Sequence, residues 1–325
     1  MTTMLPRKRF RRCGARHLQR IVLLAAALWV GLADARPAPV SSLSGIVTIA
    51  DGGPFTIIRQ SAIYTGSKGV TLLSGDIVET GPAAFLVVGL TGGSLLGIGP
   101  STEFYILPRT DVPTLVVLKG WVKTDVRGST ALPALRLTGT RLGIQSQHAV
   151  VLMHVDEGHD AIFDEQGSAT LLLRDDTATR TDKPTQANQF FVREDREAVT
   201  VQQRPAPDFV TRMPVAFRDT LPAQVEGQAA KRPAEAKRVR DVAYADIQPW
   251  ITLPRDWRIG FIQRFRGRLK DPTFFAAMDA HLNQFPEWVP ILHPPPPPEE
   301  DQLQPGTPGA PGVQRSAGAI QATPK

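Results

Sequence analysis

The stretch LLSGDIVETGPAAFLVVGLTGGSLLGIGP (Leu72–Pro100) alternates short apolar runs with glycine and decides the fold class. A phosphate-binding loop would need its glycines to lead directly into a helix N-terminus. Here a further β-type run follows each glycine, and Gly97-Ile98-Gly99 lacks the third glycine of a dinucleotide-binding fingerprint. The glycines are therefore predicted to turn strands, and the stretch indicates a sheet that reverses direction repeatedly.

Two glycine-containing sites in this stretch match specific turn geometries. Gly92-Gly93 stands between two apolar runs, where a two-residue hairpin turn requires positive φ at both central residues. At Gly75-Asp76 the glycine supplies the turn, and the aspartate accepts a hydrogen bond from a nearby backbone N–H. The residues predicted to form structural turns are Gly75, Asp76, Gly81, Gly92, Gly93, Gly99, Gly139 and Thr140.

The region from Ser42 to Leu173 consists of short runs rich in β-branched residues, such as SGIVTIA, TLVVLKG and HAVVLMHV. Gly, Pro, Asp or Ser separates nearly all of these runs, which recur about every ten residues. No stretch of this region sustains a helical period with caps. The region is therefore predicted to be mainly β, as a many-stranded sandwich or roll.

Several motifs in this region resemble, in their order and spacing, the signatures of the FecR-like periplasmic domain. These motifs are Gly75–Gly81, Gly93–Leu95, Gly99–Ser101, Leu118–Val122 and Thr138–Ile144. The resemblance covers residues 42–173. This chain has Gly92-Gly93-Ser94 where the family usually shows Asp-Gly-Ser, which keeps the turn and removes a carboxylate.

The resemblance implies a β-rich periplasmic module without catalysis. In the best-known members this module relays a signal from an outer-membrane receptor to a cytoplasmic sigma factor. That role needs a cytoplasmic domain and a membrane span before the β module. Here about 20 residues precede the first apolar run, too few for a folded domain. We therefore expect a stand-alone exported member of the family.

The N-terminal 35 residues have the three parts of a bacterial secretory signal peptide. A basic head precedes the apolar run Ile21–Ala33, and Ala33-Asp34-Ala35 provides a small-residue cleavage site. The run has 13 residues, whereas a membrane-spanning helix needs about 20. The sequence thus predicts a signal peptide over 1–35 and a periplasmic or secreted mature chain. The alternative is an uncleaved leader that anchors a sensory regulator in the inner membrane.

The basic excess of the chain belongs to this leader. Of 37 Lys and Arg and 31 Asp and Glu, the first 35 positions hold seven and one, which leaves 30 of each. A neutral mature chain lacks the positive charge that attracts nucleic acid. The single cysteine, Cys13, also leaves with the leader, so we expect neither disulfides nor thiolate metal sites.

Beyond the β region the composition changes three times. Residues 174–240 are predicted to hold a polar loop (174–188), one last hairpin (189–203) and a proline-containing linker (204–240). Within that linker, Phe209, Val210, Met213 and Phe217 have helix-like spacing and predict a short docking segment.

Apolar periodicity over 241–293 predicts a small helical domain around Trp250, Trp257 and Phe265. Within it, Asp271 is predicted to cap a helix that stops at Pro286 and has one apolar face, formed by Phe275, Met278, Leu282 and Phe285. Residues 294–325 are predicted to be a disordered proline-rich tail.

The richest polar cluster is HAVVLMHVDEGHD, residues 148–160. His148 and His154 are six residues apart and would share one face of a strand, with His159 beyond a turn. Two histidines and a carboxylate could bind a metal, but the spacing matches no recognised ligand motif. We therefore predict no metal and no cofactor, with His148 and His154 as weak candidates. No catalytic residues are predicted, because no serine has G-x-S-x-G context.

These features together predict a non-catalytic exported module that binds a component of the cell envelope. We expect the partner to be an envelope protein or a polysaccharide, contacted through strand edges or turn loops. Neither nucleic acid nor stable membrane insertion after leader cleavage is expected.

Overall fold

The structure is a computed structural model that describes residues 43–108, 110–174, 180–195, 197–223 and 233–295. The predicted signal peptide (1–35) lies outside the described residues. So do 224–232 of the predicted linker and 296–325 of the predicted tail.

The described residues form sixteen strands that belong to one mixed sheet. The first eight are β1 Ser44–Asp51, β2 Phe55–Arg59, β3 Ala62–Gly66, β4 Thr71–Leu73, β5 Ile77–Glu79, β6 Phe85–Leu90, β7 Leu95–Ile98 and β8 Glu103–Ile106. The others are β9 Thr114–Val126, β10 Leu135–Thr138, β11 Leu142–Asp156, β12 His159–Arg174, β13 Arg180–Pro184, β14 Gln189–Glu194, β15 Thr200–Gln202 and β16 Lys237–Asp241. The prediction of a mainly β fold is confirmed.

Strand β9 joins two parts of the sheet and bends between them at Gly120. Its first half pairs with β8 and, in parallel, with β10, whereas its second half pairs with β7 and β11. Gly120 has a φ of 93°, and a Cβ there would collide with Thr102. Such a bend lets one long strand pass from one layer of a folded sheet to the other.

The main hydrophobic core lies on the inner side of this sheet. Alternate residues of nearly every strand contribute to it, as the period of two of a half-buried strand requires. Representative members, each 4% exposed or less, are Val47, Ile57, Leu115, Met153 and Phe191.

A second apolar cluster lies between the sheet and a segment that follows β15. This docking segment, residues 206–221, contains helix α1 (Pro207–Arg212) and a 3-10 turn at Val215–Phe217. It buries Phe209, Met213, Phe217 and Leu221 against Val87, Leu95, Trp121, Leu152 and Phe190. The structure thus contains the predicted docking segment, except that Val210 is 42% exposed and takes no part.

The glycines next to the docking segment correct one inference from the sequence. Gly97 lies inside β7 and not at a turn. A Cβ on Gly97 would lie 2.6 Å from Leu221 Cδ2 and 2.9 Å from Phe217 Cε1. A Cβ on Gly99, just before the turn at Pro100–Ser101, would lie 2.8 Å from Trp121 Cβ in the sheet and 3.4 Å from Phe217 Cε2 in the docking segment. These positions therefore leave room for the docking segment.

The region 174–240 contains more strand than the sequence predicts. β13 falls in the predicted loop and pairs with β12, and β14 and β15 form the predicted last hairpin. β16, at the end of the predicted linker, pairs antiparallel with β3. Its composition resembles that of a linker because all five residues are exposed and therefore need not be apolar. Charged side chains are also usual on the edge of a sheet.

The chain divides into two compact units, the second beginning at Val242. Its helices are α2 Tyr244–Ile251, α3 Arg255–Arg258, α4 Phe261–Phe265, α5 Pro272–Ala280 and α6 Val289–Leu292. As the sequence predicts, Trp250, Trp257 and Phe265 are buried, and Asp271 caps α5 by accepting from the N–H of Thr273 and Phe274.

The buried face of α5 differs from the predicted one. Phe274 and Met278 are buried, whereas the predicted Phe275 and Leu282 are only partly so. The helix also ends at Ala280, before the predicted stop at Pro286. Among the described residues, no helix combines the length and apolar character needed to cross a membrane.

Candidate functional site

A polar groove of about 370 Å³ opens where β9, β11 and β12 lie side by side. It is lined by Asp125, Val126, Arg127, His148, Ala149, Val150, Gln166 and Gly167. The pairing of β11 with β12 shifts register twice here: the first shift skips Gln147 of β11, and the second skips Glu165 of β12. Such bulges bend a strand and re-aim its side chains, and His148 is accordingly exposed.

The groove carries hydrogen-bonding groups of several kinds. Arg127 Nη2 lies 3.0 Å from Asp125 Oδ2, with the two side chains 56% and 23% exposed. His148 and Gln166 add an imidazole and a primary amide. None of the described lining residues is Phe, Tyr or Trp. The arrangement can bind a polar molecule through both donors and acceptors, and it offers no side-chain hydroxyl or thiol as a nucleophile.

The glycine turn of the opening stretch supports this groove. The predicted two-residue hairpin turn is instead a 3-10 turn at Thr91–Gly93, but Gly92 and Gly93 have the predicted positive φ, at 72° and 78°. A Cβ on Gly92 would collide with the Ser129 side chain. Ser94 is fully buried, and its Oγ accepts a hydrogen bond of 3.0 Å from the backbone N–H of Arg127. The turn therefore anchors the segment that carries Arg127. Sequence reasoning singled out the turn but missed Asp125, Arg127 and Gln166, which no motif marks.

A second polar cluster lies at the other end of β11, at its hairpin with β12. Asp156 pairs directly with His159, and His154 lies two residues earlier on the same strand face. One ligand-capable atom from each of these three side chains lies within 4.8 Å of the other two. His148 does not belong to this cluster. The structure therefore separates the two predicted candidates and brings His159 and Asp156 to His154.

The environment of His154 keeps its imidazole neutral. The residue is 6% exposed, and its ring stacks on Trp121 with 4.0 Å between ring centroids. Burial, followed by the positive charge of Arg212, lowers the pKa of His154 from 6.5 to about 4. Arg212, at the end of α1, also places Nη1 3.6 Å from Asp156 Oδ2.

Asp76, one of the predicted turn residues, joins neighbouring strands. It is buried and receives two hydrogen bonds from Arg59, of 2.9 and 2.6 Å, and one of 2.8 Å from the N–H of Leu73. Gly75 beside it has a φ of 93°. The carbonyl of Gly81 accepts from the N–H groups of Ala84 and Ser101.

Gly139 and Thr140 lie beside a buried carboxylate. Asp160 accepts hydrogen bonds of 2.7 and 2.9 Å from the N–H groups of Arg141 and Leu142. Burial raises the pKa of Asp160, although these hydrogen bonds oppose the shift. A Cβ on Gly139 would collide with the Asp160 carboxylate, so the absence of a side chain there permits the contact.

Asp164 is a second buried carboxylate, and the sequence does not mark it. Thr185 donates a hydrogen bond of 2.5 Å from Oγ1 to Asp164 Oδ2, and thereby ties β12 to the residue after β13. Burial raises the pKa of Asp164 from 3.8 to about 6, although the Thr185 hydrogen bond opposes this shift.

No protein-family model and no curated protein matches this chain. Two solved structures, at 1.65 and 2.50 Å resolution, are similar to part of it, and both are described as a "putative anti-sigma factor" from Parabacteroides distasonis ATCC 8503. They are 11% and 10% identical to it, with TM-scores of 0.35. Each match covers 42% of this chain and 62% of the solved chain, so it spans less than two thirds of those proteins.

Proposed function

We propose that this protein is a non-catalytic, exported binding module of the bacterial cell envelope, and that the groove between β9, β11 and β12 holds a segment of envelope polysaccharide. The observation that carries this proposal is the set of polar side chains along an open groove: Asp125, Arg127, His148 and Gln166. The resemblance of the Gly75–Gly81 and Thr138–Ile144 motifs to FecR-like periplasmic domains supports the envelope as the compartment.

A polysaccharide fits this groove better than an envelope protein does. Protein interfaces are usually centred on buried Trp, Tyr or Arg residues that fill apolar pockets. The described lining of this groove contains no Trp, Tyr or Phe, and the side chain of its one arginine is 56% exposed. A carboxylate, a guanidinium group and an amide match the many donors and acceptors of a hydroxyl-rich chain.

Co-sedimentation with purified cell-wall polysaccharide tests this function, using the full mature chain. Arg127→Gln combined with Gln166→Ala should lower the bound fraction by about tenfold, because each good hydrogen bond to a charged or polar partner contributes about 1 kcal/mol or more. Lys68→Gln is the matched control, because it removes a positive charge from an exposed residue outside the groove. Equal binding by both variants would refute a groove-based function. Binding to an envelope protein in place of the polysaccharide would refute the choice of ligand.

The second candidate function is a sensory regulator that an uncleaved leader anchors in the inner membrane. N-terminal sequencing of the protein from native cells distinguishes the two functions. A mature chain that begins at Arg36 in the periplasmic fraction supports the exported module. An intact Met1 start in the membrane fraction supports the regulator.

A further inference from the structure

We propose that His154, Asp156 and His159 form a binding site for a divalent transition-metal ion, with Zn²⁺ as its probe. The three residues project from one face of the β11–β12 hairpin, on either side of the turn at Glu157–Gly158. Their ligand-capable atoms lie within 4.8 Å of one another. This site is separate from the groove, so the proposal does not depend on the proposed function.

The donor set selects the class of metal. Two imidazoles and one carboxylate suit Zn²⁺ and neighbouring first-row metals, whereas Mg²⁺ and Ca²⁺ prefer oxygen ligands. Zinc–ligand bonds of about 2.0–2.2 Å would require the three atoms to move somewhat closer together. Rotation of the Asp156 side chain, which is 50% exposed, allows this at the hairpin end. Water would complete the coordination shell.

His154 supplies an independent reason to expect a ligand. The residue is 6% exposed, and its Nδ1 is buried without a hydrogen-bond partner among the described residues. Buried polar atoms without partners are rare in proteins and are costly to leave unsatisfied. A metal ion bound at that nitrogen would satisfy it. The stack on Trp121 also holds the ring in one orientation, so little side-chain entropy would be lost on binding.

Arg212 competes with the metal for this cluster. Its guanidinium lies 3.6 Å from the Asp156 carboxylate, and the Arg212 side chain is 49% exposed, so it can move into solvent. A bound cation would take over the interaction with Asp156 and repel Arg212 by like charge. Metal binding therefore weakens the Arg212–Asp156 ion pair, which joins the end of α1 to the hairpin. Phe209 and Met213 still hold the docking segment by apolar burial.

Isothermal titration of the tag-free full mature chain with Zn²⁺ tests the site, and Co²⁺ absorption reports the coordination geometry. We expect one Zn²⁺ per chain. His159→Gln and Asp156→Asn should each weaken binding by about tenfold or more, because each removes a direct ligand. Arg212→Gln should strengthen binding by about threefold or more, because it removes the competing charge. His148→Gln, the matched control in the groove, should change affinity by less than about twofold.

Two results would overturn the proposal. The first is unchanged Zn²⁺ affinity in both His159→Gln and Asp156→Asn. The second is an equal loss in His148→Gln and His159→Gln, which would place the ion elsewhere. Weaker Zn²⁺ binding by Arg212→Gln would contradict the competition between Arg212 and the metal, since a structural role for Arg212 predicts a loss and competition predicts a gain.

Discussion

Lys123 Nζ donates a hydrogen bond of 2.9 Å to the carbonyl oxygen of Phe217, 94 residues later in the chain. The same ammonium donates to the carbonyl of Asp219 at 3.0 Å and lies 2.7 Å from Glu165 Oε2. The Lys123 side chain is fully buried, so its charge depends on these three acceptors. Lys123 thus connects β9 to the docking segment through buried hydrogen bonds.

Lys123→Met should destabilise the protein strongly. The substitution preserves the buried stem but leaves Glu165 and two carbonyl groups without their donor. Because Glu165 is 24% exposed and can be partly solvated, the loss should be about 2–3 kcal/mol, in the range of hydrogen bonds to charged groups. Urea denaturation of the purified protein measures the change in the free energy of unfolding.

Lys119→Met is the control for this prediction, because Lys119 lies on the same strand and pairs with Glu103 at 2.6 Å. Its side chain is 55% exposed, and exposed ion pairs contribute about 1 kcal/mol or less. Similar losses for the two variants would mean that Lys123 contributes no more than a surface charge.

Gly97→Val should loosen the docking segment while leaving the sheet folded. The new Cβ would lie within 2.6 Å of Leu221 and 2.9 Å of Phe217, so those side chains must move away. We expect faster trypsin cleavage after Arg212 and Arg218, both exposed, and a stability loss of about 1–3 kcal/mol.

Gly81→Ala is the control for Gly97→Val, because a Cβ at Gly81 meets no atom within 4 Å and its φ is not left-handed. Its cleavage rate should match that of the unmodified protein. If Gly97→Val is as resistant to trypsin as this control, then Gly97 does not make room for the docking segment.

Gly93→Ala and Ser94→Ala should both lower stability, for different reasons. A Cβ at Gly93 meets no neighbouring atom, so the cost comes from a φ of 78° and amounts to about 1–2 kcal/mol. Ser94→Ala removes the acceptor of the Arg127 N–H, a partly buried hydrogen bond, and should cost about 1 kcal/mol. Thermal melts measure both changes.

Only the Ser94 change should also weaken polysaccharide binding, because Ser94 positions the backbone of Arg127 in the groove. A solvent-exposed hydroxyl would predict no effect of Ser94→Ala, but the structure places this hydroxyl inside the protein. A Ser94→Ala variant as stable as the unmodified protein would therefore contradict a stabilising hydrogen bond between Ser94 and the Arg127 N–H.

The stability of the protein should depend on pH through two buried groups that act in opposite directions. Asp164 has a pKa raised from 3.8 to about 6. The stability that its protonated carboxyl contributes is therefore fully present below pH 3.8 and is lost as pH rises through 6. His154 has a pKa lowered from 6.5 to about 4. The stability that its neutral imidazole contributes is therefore fully present above pH 6.5 and is lost as pH falls through 4. Between pH 4 and 6.5 the two effects partly cancel.

Single substitutions should separate these two effects. Relative to the unmodified protein, Asp164→Asn should gain stability as pH rises from 4 to 7, by on the order of 2 kcal/mol. Relative to the unmodified protein, His154→Gln should lose stability as pH rises from 4 to 7. Urea denaturation at several pH values, with a chelator present, measures both trends. Parallel curves for all three proteins would show that neither pKa is shifted.

Sequence patterns were sufficient where a feature depends on neighbouring residues. The Gly92-Gly93 turn, the Asp271 cap and the alternation of β strands all follow from backbone preferences within a few positions. β16 could not be predicted in this way, because a fully exposed edge strand has the composition of a linker. Its pairing with β3 depends on hydrogen-bonding groups more than 170 residues earlier in the chain.

In the candidate sites, too, the sequence predicted what depends on neighbouring residues and missed what depends on distant ones. His148 and His154 do share one face of β11, but six residues of extended strand hold them about 20 Å apart, too far to bind one metal ion together. His159 joins His154 because the turn at Glu157–Gly158 folds β12 back beside β11. Arg127 and Gln166 meet in the groove only through pairing between strands that are distant in sequence.

The sequence by itself determined the fold class and the second, helical unit, because hydrophobic period, turn residues and helix caps act over short distances. Only the tertiary structure decided that Gly97 makes room for Phe217, that Lys123 is buried beneath the docking segment, and which histidine joins His154. The physical reason is that burial and side-chain contact depend on segments that meet only after the chain has folded. A lone lysine or glycine carries no local sign of the residue that it will contact.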